Sequence, residues 1–245
     1  MLTPCNQINN LKHQQKSLAC RFSLLVWNVH KENLTHPFAK KFSALLQTHP
    51  SDILLLQEIK YPKPNRAFLQ NYSFALAANM ETKKHLYGVL TAAQCSFETL
   101  TPTLSRTKEL GFISHKSFLI SEHRLCDNRV LYLVNIHAIN FVSNKSFAKE
   151  LQHIQKSLQT LPSPLIIGGD FNNWNKKRLQ ILQKFQEALG LQKLDVQEPH
   201  HIKSIFSHSI DHIYYKGLKA LSATAIDTQH ISDHNPIHAL FELEK

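Results

Sequence analysis

"PLIIGGDFNNWNKK", residues 164–177, begins as an apolar β-type run and then presents two glycines, an acid, an aromatic ring, amides and a tryptophan. On an extended chain successive side chains point to opposite faces, so Asp170 and Asn172 face one way and Phe171 turns into the packing. Gly168 and Gly169 permit a close backbone approach or a sharp bend just before the acid. The segment therefore reads as a stiff strand delivering polar groups at its end.

Runs of the same kind recur along the chain: "FSLLVWNV" at 22–29, "DILLLQE" at 52–58, "YGVLTAA" at 87–93, "SFLISEH" at 117–123, "VLYLVNIHAI" at 130–139, "SIDHIYY" at 209–215 and "NPIHALFEL" at 235–243. Between them lie helical patterns. Phe147, Leu151, Ile154, Leu158 and Leu161 share one face over 144–160, which Pro162 and Pro164 end. A second helix is expected over 175–189, stopped by Gly190, and a third near 37–48. Strands and helices mixed in this way predict an α/β class with packed sheets.

The chain has 245 residues, enough for one sizeable core. A single domain is expected over 20–245, preceded by a flexible tail at 1–19 of loop composition. The net charge of +10 favours polyanionic partners without choosing among nucleic acid, anionic lipid and phosphorylated metabolites. Cys5, Cys20, Cys95 and Cys126 form no C-x-x-C pair and read as free thiols. Free thiols, with no apolar signal region or membrane span evident, make a reducing cytoplasm the default, with export by a route that needs no signal peptide as the alternative; a monomer is expected.

The chemistry lies where the strands end. Asn28, Glu58, His137, Asp170 with Asn172, Asp211, and Asp233 with His234 each close or precede a β-type run. Such groups converge if the strands share a sheet edge, and rigid elements hold them well. Other assignments fail: Ser232, Asp233 and His234 are adjacent and diverge on an extended chain, so they form no triad. There is no H-E-x-x-H, no phosphate-cradling P-loop and no G-x-G-x-x-G.

Asn28 in "WNV", Glu58 in "LLLQE", His137 in "VNIHA", "GGDFN", "SIDHI" and "SDHNP" together resemble, in order, the endonuclease/exonuclease/phosphatase superfamily. More narrowly, "LLVWNVHK", "VNIHAINF" and "SDHNP" resemble its bacterial YafD-type branch. The resemblance implies a DNase I-like, four-layered α/β/β/α sandwich of two packed mixed sheets, with metal-dependent phosphoester hydrolysis at one end. It implies Asn28, Glu58 and Asp233 as ligands of Mg²⁺ or Mn²⁺, whose preference for hard oxygen donors they suit. Asp170 would activate the attacking water, Asn172 would hold a phosphate oxygen, His137 and His234 would stabilise phosphate charge, and Asp211 would orient His234. The alternative general base is His234, paired with Asp211; Asp170 is favoured.

Departures from the family narrow the substrate. The Trp-Cys-Asp-Arg unit of phosphoinositide 5-phosphatases is replaced by "HSIDHIYY", and His30 stands where abasic-site endonucleases carry a second acid. His137 in "VNIHA" is instead similar to DNase I-type nucleases and sphingomyelinases. Lys60, Lys63 and Arg66 gather around Tyr61, and Lys176, Lys177 and Arg178 follow Trp174, an alternation that suits a phosphate backbone and stacked bases. No apolar hairpin or strongly amphipathic basic helix for docking on a bilayer stands out. The favoured expectation is a nuclease acting on DNA or RNA; a phospholipid or small-molecule phosphoesterase is second, and a non-catalytic binding module third.

Overall fold

The computed structural model describes residues 8–10, 13–63, 69–100, 103–104 and 117–244. The first half carries β1 (Ile8–Asn10), β2 (Arg21–Asn28), α1 (His36–Thr48), β3 (Ile53–Pro62), β4 (Ser73–Glu81), β5 (His85–Ala93), β6 (Glu98–Thr99), β7 (Thr103–Leu104) and β8 (Ser117–Arg124). The second half carries β9 (Val130–His137), α2 (Asn144–Leu158), β10 (Leu165–Asp170), α3 (Lys176–Leu189), β11 (Gln192–Lys193), β12 (Ser204–Ile205), β13 (His208–Ser209), β14 (Asp211–Lys216), β15 (Leu218–Ala225) and β16 (Ile237–Leu243). All three expected helices form. Beyond several strands of two or three residues, β4 and β15 are not among the expected runs: their Ala-rich sequences have little β propensity of their own and take strand form through their neighbours.

One sheet has the order β1-β4-β5-β3-β2-β16-β15, and the other β11-β14-β10-β9-β8-β6, with β7 also on β8. Leu24, Val26, Ile53, Leu55, Leu133, Ile166 and Ile213 fill the space between them. Helix α1 covers the outside of the first sheet through Phe38, Phe42 and Leu45, and α2 and α3 cover the second through Phe147, Leu151, Leu182 and Phe185. The result is the α/β/β/α sandwich. Within the expected tail, β1 pairs with β4 and Leu18 is buried beside Leu125.

Among the described strands each sheet contains one parallel pair, β2 with β3 and β9 with β10. Their carboxyl ends lie at the same end of the sandwich. Just beneath that end, Gln57 Nε2 donates to Asn135 Oδ1 at 2.7 Å, and Asn135 Nδ2 donates to the carbonyls of Leu56 and Leu90 at 3.2 and 2.9 Å. This buried polar bridge joins the sheets. Here β3 bulges between Leu56 and Ile59, with Glu58 at φ 54, and a bulge of this kind re-aims the side chain it carries.

At the opposite end Cys20, which precedes β2, is disulfide-bonded to Cys126 in the β8–β9 turn, with the Cα atoms 5.5 Å apart. This corrects the reading of all four cysteines as free thiols: residues separated by 106 positions meet because the two sheets pack face to face. Disulfides persist in oxidising surroundings, so the thiol-based argument for a reducing cytoplasm loses its support. No helix among the described residues is long and apolar enough to cross a membrane. Cys95 is buried as a free thiol, and burial pushes its pKa up to about 12.

The two glycines of the opening segment do different work. A Cβ on Gly168 would first meet the Val26 and Leu55 side chains of the facing sheet, at 3.0 and 3.1 Å. One on Gly169, at φ +144, would strike the Ile136 carbonyl oxygen at 1.9 Å. Gly169→Ala is therefore expected to cost about 3 kcal/mol or more and Gly168→Ala about 1 kcal/mol, measured by urea unfolding. Equal costs would contradict this assignment.

Candidate active site

The register of the second sheet aligns its polar ends. Asp170, the last residue of β10, is paired with His137 at the end of β9 on one side and with Asp211 at the start of β14 on the other. In the first sheet Asn28 closes β2 beside Gln57, one residue before Glu58. The loop before β16 brings His234 over the gap: Trp27 Nε1 donates to the His234 carbonyl at 2.8 Å, and Ser232 Oγ to that of Asn28 at 2.8 Å. These two bonds fix the loop to β2.

Asp170 is buried at the centre. Its Oδ1 accepts from the Asn172 backbone N–H at 2.9 Å, and its Oδ2 accepts from Asn28 Nδ2 across the sheets at 3.1 Å. His137 Nε2 and His234 Nε2 lie 3.6 and 3.8 Å from the same Oδ2. Asn172, at φ 49, donates from Nδ2 to the Ala138 carbonyl at 3.0 Å, which ties the turn after β10 to the turn after β9. An amide carries two N–H groups, so this bond uses one of them.

His234 Nδ1 lies 2.7 Å from Asp211 Oδ2. Burial works against a charged imidazole there, but Asp211, by its charge and hydrogen bond, and Asp170 outweigh it and push the His234 pKa up to about 9. His234 is thus an imidazolium at neutral pH. One oxygen each of Asp170 and Asp211 and a ring nitrogen of His234 lie within 4.8 Å of one another. A protonated imidazole has no lone pair to offer a cation, so in this state the proton holds that group together.

Hard oxygen donors converge on the other side. Glu58 Oε1 is 3.6 Å from His137 Nε2, and Oε2 is 2.7 Å from Lys31 Nζ. An ammonium already resting on this carboxylate shows that the position stabilises positive charge. With the Asn28 amide and the Asp170 carboxylate adjoining, the donors fit Mg²⁺ or Mn²⁺ in kind. Asp233 sits at the rim, paired with Lys203 and with His30 Nε2 at 4.0 Å, while its Oδ1 is 3.8 Å from His234 Nε2. Burial opposes its ionisation, but Lys203, His234 and His30 outweigh this and hold its carboxyl below the ordinary range.

Of the basic residues, Lys176 and Lys177 are exposed in the first turn of α3 and Trp174 is half-buried beside them. Arg178 corrects the sequence reading: it is 0% exposed, donates to the carbonyls of Asn172, Ile139 and Val142, and lies against the Phe147 and Trp174 rings. It braces the loop from within and is not available to a substrate. Lys60 is half-buried with its backbone held by Asn33, and Lys63 pairs with Glu81. Arg66 lies outside the described residues. Sequence reasoning missed Lys31, Lys203, the Gln57–Asn135 bridge and a short β12–β13 hairpin whose tip, Phe206, is exposed. Only "HK" after Asn28 and the turn-forming "FSHS" hinted at any of these.

The His234 environment makes a direct expectation. In metal-free protein its imidazole should titrate near pH 9 by NMR, and Asp211→Asn should lower that midpoint. Because the folded pKa lies above the unfolded value, the stability contributed by this charge is complete below about pH 6.5 and lost as pH rises through about 9. A wild-type midpoint at or below the ordinary histidine value would contradict the charge balance.

Comparison with known proteins agrees with this architecture. The model of the Endonuclease/Exonuclease/phosphatase family matches residues 25–234. A UPF0294 protein of Vibrio vulnificus is 30% identical over 233 residues, covering 91% of this chain and 78% of its own length. Another from Yersinia pseudotuberculosis is 30% identical over 224 residues, covering 89% and 83%. Among solved structures, the human Nocturnin catalytic domain with bound sulfate has a TM-score of 0.67 at 16% identity, covering 98% of this chain and 97% of that one. D. rerio TDP2 complexed with a single-strand DNA product has a TM-score of 0.62 at 16% identity, covering 91% and 99%. With its two packed sheets, its shared strand-end site and a family match from Leu25 to His234, the chain belongs to the endonuclease/exonuclease/phosphatase family.

Proposed function

We propose that the protein is a divalent-metal-dependent phosphodiesterase that hydrolyses nucleic acid, with Asp170 as the base that takes the proton from the attacking water. The observation that carries this reading is the buried group in which the Asp170 carboxylate faces His137 and His234, with Asp211 on the other ring nitrogen of His234. His234 is bound to Asp211 and protonated up to about pH 9, so at neutral pH it has no lone pair with which to accept a proton. Asp170, 3.8 Å from it, has that capacity.

The water oxygen bonds to phosphorus as the ester P–O bond breaks, and the water proton passes to Asp170. His234 and His137 face the negative charge that builds on the phosphate, and Asn172 adds an amide N–H. Glu58 and Asn28, with Asp233 from the rim, would hold Mg²⁺ or Mn²⁺, which when bound polarises a phosphoryl oxygen and stabilises the leaving oxygen. Asp211 keeps His234 oriented and charged.

Nucleic acid is favoured by the net charge of +10 and by the exposed lysines beside Trp174. The TDP2 structure that shares this fold holds a single-strand DNA product, which agrees with the same substrate class. The exposed hairpin at Phe206 gives the phospholipid reading its one specific support.

Purified protein should cleave single-stranded RNA or DNA with Mg²⁺ or Mn²⁺, and EDTA should abolish the cleavage. Glu58→Gln and Asp170→Asn should each reduce the rate by about 10²- to 10⁴-fold. Activity should fall as pH rises through about 9, where His234 loses its charge. Hydrolysis of sphingomyelin vesicles without cleavage of either nucleic acid would overturn the proposal, as would undiminished cleavage in EDTA.

A further inference from the structure

Two large apolar side chains stand far into solvent beside the site, and both are phenylalanines: Phe141 is 68% exposed and Phe206 is 78% exposed. Phe141 lies four residues beyond His137 in the loop between β9 and α2, and Phe206 is at the tip of the β12–β13 hairpin. Between them in the structure is Trp174, two residues beyond Asn172. Its ring centroid is 6.3 Å from that of Phe206. Its indole Nε1 donates to Asn140 Oδ1 at 2.9 Å, the same oxygen that accepts from the Phe141 backbone N–H at 3.0 Å. One amide thus holds two of the three aromatics in place.

Both exposed phenylalanines occupy backbone positions that disfavour them. Phe141 has φ 22, and Phe206 and Ser207 have φ 48 and φ 64 as the two central residues of a tight hairpin. Such turns strongly prefer Asn-Gly or Asp-Gly, because a bulky side chain is strained at positive φ. Neither ring is buried in return. A strained aromatic held out in water is accounted for by something that covers it.

We propose that Phe141, Trp174 and Phe206 form a stacking rim for the unpaired bases of a single-stranded nucleic acid whose backbone phosphate enters the adjoining site. This deepens the proposed function and rests on it. Charge favours this occupant. Lys145, in the first turn of α2, and Lys176 and Lys177, in the first turn of α3, are exposed next to the rim, and neither first turn carries an acid. The two helix starts are side by side, since Asn175 Nδ2 donates to Asn144 Oδ1 at 3.2 Å. Lysines among aromatic rings match a chain of phosphates and bases. The third exposed large apolar residue among those described, Leu34, belongs to the segment after β2, so the rim lacks the aliphatic face with which a bilayer-docking surface inserts.

The test is binding in EDTA, which keeps the oligonucleotide intact. A fluorescein-labelled oligothymidylate of about 12 nucleotides, within the span such surfaces cover, is compared with an abasic oligomer of equal length and with phosphatidylglycerol vesicles. Phe141→Ala and Phe206→Ala should each weaken oligothymidylate binding by about 5- to 100-fold, and should leave the weaker binding of the abasic oligomer unchanged. Phe206→Asn, which suits the turn better, should bind as poorly as Phe206→Ala while melting at the same temperature as wild type or higher. Of the two tryptophans Trp27 is buried, so quenching of the fluorescence on binding should disappear in Trp174→Phe.

Unchanged oligothymidylate binding in the alanine variants would overturn the rim, as would equal losses for the abasic oligomer, or losses confined to vesicles. Binding through the aromatics without any cleavage when Mg²⁺ is added would leave the rim standing and sink the proposed function. Cleavage of the oligomer by wild type with unaltered binding in the variants would do the reverse.

Discussion

The hydrogen bond from Asn28 to Asp170 crosses between the two sheets, and much else in the molecule is arranged around it. A carboxylate buried at such a junction loses its hydration, and the loss is tolerable only if donors and positive charge replace the water. Asn28 supplies one donor from the first sheet, the Asn172 backbone another from the turn that follows, and the His234 imidazolium the charge. His234 is in turn held by Asp211 through its ring and by Trp27 through its carbonyl. Removing any one of these takes a donor, a charge or a tether from the buried group, so the candidate site and the join between the sheets are parts of one network.

Several residues with left-handed backbone share that end of the sandwich. Glu58, Asn172, His30 and Lys31 all have positive φ, and all lie at the end of the sandwich where the parallel strand pairs terminate. Residues in that conformation persist where the surroundings over-determine them. The surroundings here are specific: the Gln57–Asn135 bridge anchors the bulge that carries Glu58, and the Asp170 and Ala138 contacts pin Asn172. At the far end a disulfide joins the sheets.

The strong strands and all three helices could be read from the sequence because their apolar patterns are local. The end-of-strand polar residues were legible for the same reason: Asn28, His137 and Asp170 each interrupt an apolar run. Strands β4 and β15 escaped because Ala and Ser take their conformation from neighbours rather than from intrinsic preference. The Cys20–Cys126 pairing and the burial of Arg178 depend on which segments meet in space, and neither spacing nor charge encodes that. Arg178 is the instructive case. In the sequence it continues a run of cations after Trp174, yet helical periodicity turns it inward, under the ring, while Lys176 and Lys177 stay in water. Phe206 was hidden by the opposite effect, since a phenylalanine in a short apolar stretch reads as core and only the hairpin shows it exposed.

The proposed function divides the labour across the gap, with a cation on the Glu58 side and a proton on the His234 side. Anomalous diffraction from crystals soaked in Mn²⁺ tests it most directly. The expected result is a peak in coordination with the Glu58 carboxylate and the Asn28 amide oxygen, with the His234–Asp211 contact intact. A peak bound by Asp170, Asp211 and the His234 ring, with Glu58 still on Lys31, would contradict it.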